Sequence, residues 1–374
     1  MRIGLIGDVH LHNFRQFDLP FQGPPAGLPA GVNHRCALTS LVLERALSIL
    51  KDDGKVQDVF QLGDLVEVPG APAAVLAQAV LAARRARQPF ACIVGNHDAH
   101  TTPATAADSA LAAFEAGSTV RPFAAVAAGM SGLEAWNYGV GRLNMQVDRS
   151  IVSSVLMHAG LWTDKEPPPH MQGKEDLSVE GLWERVHRPI ENDKPIILAA
   201  GHWHHARYFG RQKTAYILQA GVLHPTSFND DGWERVGFVY VFDDAMDTIE
   251  AFQVPGLRFL NVHDLWQGVL DVRMVLAEGS IPLIAVHAET ARAAEKIRDG
   301  LLEVFTHTIE GAVQPICREG MVLRVHPPDG PAPAKPAQQS REAYAVRAAS
   351  RMPLVAEHER GRAVQRILAH WKTL

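Results

Sequence analysis

Polar side chains that can bind metal ions follow several apolar runs of this sequence. Gly95-Asn96-His97-Asp98 comes directly after Phe90–Val94 and puts an amide oxygen, an imidazole and a carboxylate side by side. Four other apolar runs end in the same way, and the residues that follow them are Asp8 and His10, Asp64, His158, and His202 and His204. Short apolar runs that end at a polar residue are typical of buried strands that enter a loop. The pattern therefore indicates five strands that each end in a ligand or acid-base residue.

The residue types favour a site for divalent metal ions. Carboxylate, amide and imidazole groups together suit manganese, iron or zinc rather than calcium. Asp8 and His10 would point to the same side of an extended segment, because strand side chains alternate. Asp64 has two carboxylate oxygens and could bridge two cations. Any one histidine taken alone is more simply a hydrogen-bonded loop residue, but five such groups in succession favour one shared site.

The elements that must position these residues alternate in the first third of the chain. The apolar runs Ile3–Gly7, Val56–Leu62 and Phe90–Val94 are predicted strands. Helical spacing or composition predicts helices between and after them, over Leu38–Lys51, Ala73–Arg87 and Ala104–Ala116. This alternation is typical of a parallel α/β sheet, in which sites form at the carboxyl ends of the strands.

Further apolar runs in the second half indicate a second sheet and a small C-terminal unit. The strands predicted for the second sheet are Ile151–Met157, Ile196–Ala200, Ala215–Gln219, Val236–Phe242 and Thr248–Phe252, with a hairpin between the last two. The C-terminal unit is predicted as β-α-β, formed by Leu270–Leu276, Thr290–Phe305 and Met321–Val325. Two segments, Phe14–Arg35 and the stretch between His158 and Pro195, are predicted to be a long loop and an insertion.

Composition is that of an ordinary globular protein. The chain has 374 residues, 47% of them apolar, and its net charge of −5 gives no overall attraction to nucleic acid. Cys36, Cys92 and Cys317 are an odd number at wide spacings, which fits a reducing cytoplasm rather than a disulfide framework. No leader sequence and no apolar run long enough for a membrane span is visible, so we expect a soluble, cytoplasmic protein without membrane contact.

The ordered set of ligand-type residues resembles the calcineurin-like metallophosphoesterase superfamily. Its pattern of D-x-H, GD, GNH(D/E), H and GHxH appears here as Asp8-Val9-His10, Gly63-Asp64, Gly95-Asn96-His97-Asp98, His158 and Gly201-His202-Trp203-His204. The resemblance spans about the first 255 residues and is complete at every ligand position. It implies the α/β fold class, as a metallophosphoesterase β-sandwich flanked by helices. It also implies two divalent metal ions, with manganese favoured and iron or zinc as alternatives.

Carried over residue by residue, the resemblance implies one ion held by Asp8, His10, Asp64 and His204 and a second held by Asp64, Asn96, His158 and His202. Asp64 would bridge the two. His97 would face the leaving oxygen as general acid, and Asp98 would orient its ring. A purely structural hydrogen bond is the alternative for His97.

Within the superfamily, the chain is similar to the SbcD family of DNA-repair exonucleases. The supporting stretches are Ile6–Phe14, Gln219–Asn229 and Gly237-Phe238-Val239, whereas Leu65-Val66-Glu67 departs from the Asp or His that many relatives carry at the last position. The resemblance implies a catalytic domain at 1–262, a small α/β capping domain at 263–326, a linker at 327–337 and a helical basic tail at 338–374 that binds a partner.

The function implied by this resemblance is that of a dinuclear-metal phosphodiesterase, a DNA exonuclease or endonuclease of DNA end processing or repair. Its partner would be an SMC-like ATPase bound through the tail, which has seven basic against three acidic residues. A solvated helical end is the simpler interpretation of the tail, and a homodimer is also open. The alternative functions are a phosphomonoesterase or a cyclic-nucleotide or other small-molecule phosphodiesterase, and a non-catalytic scaffold.

Overall fold

The structure is a computed structural model, and the part of the chain that it describes comprises residues 1–14, 28–114, 118–123, 133–139, 154–163, 177–186, 194–212, 214–224, 237–306 and 321–326. The predicted linker 327–337, the tail 338–374, the centre of the loop Phe14–Arg35 and the end of the stretch Gln219–Asn229 lie outside these residues. The first three residues of the predicted strand Ile151–Met157 lie outside them as well.

Strands outnumber helices in the described residues. In chain order the strands are β1 (Arg2–Ile6), β2 (Asp58–Gln61), β3 (Phe90–Cys92), β4 (Val120–Pro122), β5 (Leu133–Trp136), β6 (Ser154–His158), β7 (Leu161–Trp162), β8 (Leu177–Ser178), β9 (Ile196–Gly201), β10 (Arg207–Gln212), β11 (Ala215–Gln219), β12 (Gly237–Asp243), β13 (Thr248–Val254), β14 (Leu257–Val262), β15 (Ile281–Ala288) and β16 (Met321–Val325). The α-helices are α1 (His34–Asp52), α2 (Ala73–Ala86), α3 (Val179–Val186), α4 (Leu265–Ala277) and α5 (Ala291–Thr306). No described helix is both long enough and apolar enough to cross a membrane.

The first sheet has the order β13-β12-β1-β2-β3-β4. Its strands β1 to β4 are parallel, and β12 and β13 join β1 as the predicted antiparallel hairpin. Helices α1 and α2 bury apolar side chains such as Leu43, Leu47 and Ala79 in one cluster with residues of this sheet. The predicted β-α-β alternation is confirmed here, although α1 begins at His34 because the side chain of Asn33 accepts a hydrogen bond from the Cys36 backbone and caps the helix.

The second sheet has the order β10-β11-β9-β6-β5, in which all strands except β10 are parallel. Residues of both sheets form one buried apolar cluster, which includes Ile3 and Phe60 from the first sheet and Leu156 and Ile197 from the second. The carboxyl ends of β1, β2, β3, β6 and β9 are held together by this packing. The second sheet also buries side chains against β7, β8 and α3 from the insertion after His158.

The predicted helix Ala104–Ala116 is wrong, since only the short 3₁₀ helix Ala110–Ala113 forms among the described residues of this stretch. Backbone N–H groups that a longer helix would use are committed elsewhere. The Ala104 amide donates to the Tyr138 carbonyl, and the Ala110 amide donates to the Asp98 carbonyl. Thr105 also accepts a hydrogen bond from the Asp108 amide, so a local turn replaces the first turn of the helix.

The C-terminal unit is a third sheet of order β14-β15-β16 with α4 and α5 packed against it. The predicted strand Leu270–Leu276 is wrong, because these residues belong to α4. Asp264 caps that helix by accepting from the Gln267 amide, and Val269, Val272 and Val275 then share one buried face at helical spacing. The strand between the two helices is β15 instead. β14, which ends at Val262, pairs with β15 in this sheet.

Candidate metal centre

The loops after the ligand-bearing strands are tied to one another by backbone hydrogen bonds. The Asp8 amide donates to the Gly221 carbonyl at 3.1 Å, and the Val9 amide donates to the Asp64 carbonyl at 3.0 Å. The Val222 amide in turn donates to the His204 carbonyl at 3.1 Å. These bonds bring together seven residues that the sequence predicts as ligands, namely Asp8, His10, Asp64, Asn96, His158, His202 and His204.

Three groups of candidate ligands occur among the described residues, of which one, His10 with Glu67 and His97, shares His10 with the group that we call cluster A, formed by Asp8, His10 and His204. Their ligand atoms lie within 4.8 Å of one another. The two imidazoles face each other, with Nε2 of His10 3.1 Å from Nε2 of His204. Oδ2 of Asp64 lies 3.9 Å from the same His10 nitrogen. Atoms that share a cation at about 2.1 Å are separated by about this much, so the set fits a bound divalent ion.

Asp64, His158 and His202 form the second cluster, cluster B, together with Asn96. Nε2 of His158 lies 3.3 Å from Oδ2 of Asp64 and 2.9 Å from Oδ1 of Asn96. Nδ1 of His202 also lies 2.9 Å from this amide oxygen. At the far side of the His158 ring, Nδ1 lies 2.7 Å from the Leu62 carbonyl and must donate to it. In the neutral ring Nε2 then carries the lone pair, which can face an ion.

Each cluster takes residues from both sheets. Asp8, His10, Asp64 and Asn96 follow strands of the first sheet, whereas His158, His202 and His204 end or follow strands of the second. Asp64 belongs to both clusters, because its Oδ2 atom approaches His10 in cluster A and His158 in cluster B. Its Oδ1 atom accepts a hydrogen bond of 2.9 Å from the His97 amide, which fixes the plane of the carboxylate between the clusters.

The buried carboxylates of the two clusters favour positive charge beside them. Burial raises the pKa of Asp8 to about 7. Burial alone would also raise the pKa of Asp64, but the neighbouring His158 and His10 hold this pKa well below its usual range. Conversely, burial alone would lower the pKa values of His10 and His158, yet the adjacent carboxylates raise each of them to about 9. Protons on these imidazoles thus neutralise buried carboxylates, and divalent ions would supply the same charge.

The backbone is strained at three of the seven residues. His10, Asp64 and His202 have φ angles of 54°, 56° and 85°, in the left-handed region that non-glycine residues rarely adopt. Such conformations cost on the order of 1–3 kcal/mol each and cluster at functional sites. The glycines beside them are required for close approach, since a Cβ on Gly63 would collide with the His158 ring and one on Gly95 would collide with the Asp64 carboxylate. The GD and GNH motifs therefore place glycine where a ligand needs the space.

His97 lies at the rim of the centre, where its side chain is 37% exposed. Its ring packs edge-on against the ring of His10 with centroids 5.0 Å apart. Nδ1 lies 2.9 Å from the Glu67 carbonyl oxygen, so that Nδ1 donates and Nε2 faces away from this contact. This arrangement fits a group that exchanges a proton with a substrate.

Asp98 is held by backbone groups of two neighbouring loops. Its carboxylate accepts hydrogen bonds from the backbone amides of Val66, at 3.0 Å, and Gly95, at 2.9 Å, and burial raises its pKa to about 6. The contact that orients the His97 ring comes from the Glu67 carbonyl. Asp98 is fully buried and joins the loop after β2 to the loop after β3. It supports the positions of Asp64 and His97 through the backbone.

Glu67 is the acidic residue that the sequence reasoning did not assign to the site. Its Oε2 atom forms an ion pair of 2.7 Å with Nδ1 of His10, and Oε1 lies 3.7 Å from Nδ1 of His97. A carboxylate behind a metal-binding histidine fixes the ring and makes it a better ligand. The available signal was its position three residues after Asp64.

Tyr138 is a second residue that the sequence did not reveal. It follows β5, and its ring centroid lies 5.5 Å from that of His202 and 5.9 Å from that of His158. The neighbouring Asn137 side chain accepts from the Val94 amide at 3.0 Å, which holds this loop beside the loop of Asn96. Tyr138 thus forms an aromatic wall beside cluster B.

Comparison with known proteins agrees with this geometry. A family model for calcineurin-like phosphoesterases matches residues 1–224, a segment that contains every strand that ends in a ligand-type residue. A search of curated proteins found no significant match. The matched segment covers more than half of the chain and includes both clusters of candidate ligands. The chain therefore belongs to the calcineurin-like phosphoesterase family, and it is a metal-dependent phosphoesterase.

Proposed function

We propose that this protein is a dinuclear-metal phosphodiesterase that cleaves DNA at its ends. The observation that carries the proposal is the pair of clusters that share Asp64, with His97 beside them at the rim. The ions would be manganese, or else iron or zinc, held by Asp8, His10, Asp64 and His204 on one side and by Asp64, Asn96, His158 and His202 on the other. The β-sandwich layout and the division at residues 262 and 263 belong to the same proposal.

The residues of the chain divide the work of phosphodiester cleavage. Two bound cations supply neutralisation of the phosphate charge and activation of a water molecule. His97 would protonate the leaving oxygen from Nε2, and the contact of its Nδ1 with the Glu67 carbonyl supports this role. Phosphoryl transfer depends on positioning and charge rather than on a covalent nucleophile, so no nucleophilic side chain is needed.

A half-exposed edge strand beside cluster A favours a nucleic acid over a small phosphoester. Strand β10 starts three residues after His204 and reads Arg-Tyr-Phe-Gly-Arg-Gln from Arg207 to Gln212. The Arg207 guanidinium lies over the ring of Phe209, 4.8 Å from its centroid. Arginines bind phosphates, and aromatic rings that keep part of their surface in solvent, as Tyr208 and Phe209 do, can stack on unpaired bases. The SbcD-like stretches of the sequence support the same substrate class.

A substrate panel tests the proposal. Linear duplex DNA, single-stranded DNA, a cyclic nucleotide and an aryl phosphate are each incubated with the manganese-loaded protein. We expect DNA to be the best substrate and His97→Ala to lose DNA cleavage by roughly 10²–10⁴-fold while both ions stay bound. Rapid turnover of the cyclic nucleotide or the aryl phosphate with inert DNA would assign a small-molecule esterase instead. An SMC-like ATPase as partner stays a prediction of the resemblance.

A second pair of variants separates DNA binding from chemistry. Arg207→Ala removes a charge next to cluster A, whereas Arg85→Ala removes an exposed charge on α2. We expect Arg207→Ala to raise KM for DNA and to flatten its salt dependence, with aryl phosphate turnover unchanged. Arg85→Ala serves as the matched control. Equal effects of both variants would show that β10 takes no part in DNA binding.

A further inference from the structure

Helix α4 presents apolar side chains to solvent on one face. Trp266, Leu270 and Met274 follow each other at four-residue spacing and are 73%, 43% and 39% exposed. We call these three residues the α4 stripe. Of the large apolar side chains that are exposed in the described residues, all but Met246 lie in the C-terminal unit. Exposed apolar patches of this kind mark contact surfaces.

The α4 stripe is not needed for the core of its own unit. The opposite face of α4, with Val269, Val272 and Val275, is buried with residues of β15 and α5. The side chain of Leu265 packs against α5, since a Cβ on Gly300 would collide with it. A helix that is apolar on two sides is buried on two sides in most proteins. We therefore expect the α4 stripe to pack against another apolar surface.

The chain itself continues close to this surface. In the order β14-β15-β16, β14 runs into α4 through His263 and Asp264, and β16 ends at the same sheet edge before His326. Ring contacts mark this edge, with centroids of His263 and His287 4.9 Å apart and Nδ1 of His287 3.0 Å from Nε2 of His326. Residues 327–374 thus start about two strand spacings, or about 10 Å, from the beginning of α4.

The last residues of the sequence carry a pattern complementary to the α4 stripe. Val364, Ile367, Leu368 and Trp371 recur at the spacing of one helical face. Arg360, Arg362, Arg366 and Lys372 make the same segment basic. On α4 the stripe is flanked on one side by Asp264 and Asp271, which can pair with these basic side chains, and on the other side by the exposed Arg273.

We propose that residues 360–374 dock along the α4 stripe of the same chain, with Val364, Ile367, Leu368 and Trp371 against Trp266, Leu270 and Met274. This is helix-to-helix apolar packing with a charged flank. The roughly thirty intervening residues are enough to bridge this gap, since a random coil of that length would span on the order of 30 Å. Tethering gives an effective concentration of about a millimolar, so that modest affinity is sufficient.

Hydroxyl-radical footprinting of the full-length chain tests the docking, because Trp and Met side chains report their own solvent access. Wild type is compared with Leu368→Asp, on the apolar face of the segment, and with Thr373→Asp, which adds the same charge to the opposite face. We expect Trp266 and Met274 to be oxidised several-fold faster in Leu368→Asp than in the other two proteins. Met246, which is 69% exposed and lies in the hairpin of β12 and β13, serves as the internal standard.

The reciprocal variant Leu270→Asp changes the α4 side of the contact. Because Leu270 is exposed, the substitution leaves the core intact, and we expect Trp371 to be oxidised faster. Equal oxidation of Trp266 and Met274 in wild type and Leu368→Asp would overturn the proposal, as would an unchanged Trp371 in Leu270→Asp. Protection of the α4 stripe that disappears on dilution would assign the surface to a second copy and would also overturn it.

Discussion

The carboxylate of Asp64 lies between the two clusters, with one oxygen shared by His10 and His158 and the other held by the His97 amide. A carboxylate suits this position because its negative charge offsets two cations, whereas an amide is neutral and carries two donor hydrogens. The neighbouring ligands Asp8 and Asn96 each serve one cluster. Loss of the Asp64 charge should therefore affect both ions, whereas loss of any other ligand should affect one.

Asp64→Asn is expected to reduce the bound metal from two ions per chain to one or none. The measurement is metal content by elemental analysis after loading with manganese and desalting. Asp108→Asn is the matched control, since Asp108 is exposed and hydrogen-bonds to Thr105 away from the centre. Retention of two ions in Asp64→Asn would contradict the bridging position.

Glu67→Gln tests the contact between Glu67 and His10. The substitution keeps the shape of the side chain but removes the charge that pairs with the imidazole at 2.7 Å. We expect metal affinity to fall by about 10–100-fold, the usual effect of losing a carboxylate behind a histidine ligand. Titration with manganese measures the change, and Glu44→Gln on α1 controls for removal of a negative charge. An affinity equal to that of wild type would show that Glu67 does not support His10.

At the scale of elements, the turn after each strand decides whether the ligands converge. Gly63 combines a φ of 99° with a position where any side chain would meet the His158 ring. Asp64 can therefore reach its position between the clusters only if the residue before Asp64 is glycine. Gly70, in the exposed turn that follows, has open space around it.

Gly63→Ala is expected to lower the free energy of unfolding by more than about 2 kcal/mol and to release metal from cluster B, because a strained φ and a displaced His158 act together. Gly70→Ala should change the free energy of unfolding by less than about 0.5 kcal/mol. Urea denaturation and metal content measure both variants. Gly63→Ala with normal stability and full metal content would refute the steric argument.

The sequence revealed those parts of the fold in which local pattern and tertiary contact agree. The strands that precede Asp8, Asp64 and Asn96 are short, buried and followed by glycine or a polar residue, and the structure confirms them. Ala104–Ala116 and Leu270–Leu276 were predicted wrongly, because an alanine-rich run can form a turn and a valine-rich run can form a helix when side-chain caps favour it. Such caps depend on single residues, Thr105 and Asp264, rather than on periodicity.

The candidate ligands could be predicted from the sequence, whereas the residues that contact and orient them could not. Ligand types at strand ends are visible in the sequence because each follows its own apolar run. Glu67, by contrast, meets His10 only after β1 and β2 pair, and Tyr138 meets His202 only after β5 joins the second sheet. The contact between the His97 ring and the Glu67 carbonyl is invisible in the sequence for the same reason, since the two residues lie thirty positions apart.

At the scale of the whole molecule, the buried charges of the centre couple folding to pH and to metal. Nearby carboxylates raise the pKa values of His10 and His158 above the ordinary value of 6.5, to about 9. The stability that these imidazolium groups contribute is fully present below pH 6.5 and is lost as pH rises through about 9. Asp8 acts in the same direction, because burial raises its pKa to about 7 and its ionisation at higher pH opposes folding.

The metal-free protein is accordingly expected to lose stability between about pH 6.5 and 9. With manganese bound, this loss should shrink or reverse, since ions bind the deprotonated histidines and supply the missing charge. Urea midpoints at the two pH values, with chelator and with manganese, measure the effect. Equal midpoints at both pH values in chelator would contradict the charge balance described for the two clusters.

Because each cluster takes residues from both sheets, an ion held there would also link the two sheets to each other. It can leave quickly only when the layers move apart at this edge, so that release of manganese to a chelator should be limited by local opening of the protein rather than by the strength of individual bonds. At the opposite edge the layers are joined by Asp247 of the hairpin between β12 and β13, which pairs with Arg211 of β10 and contacts the Tyr216 hydroxyl of β11. The metal ions of the catalytic centre would then also hold together the two sheets that supply their ligands.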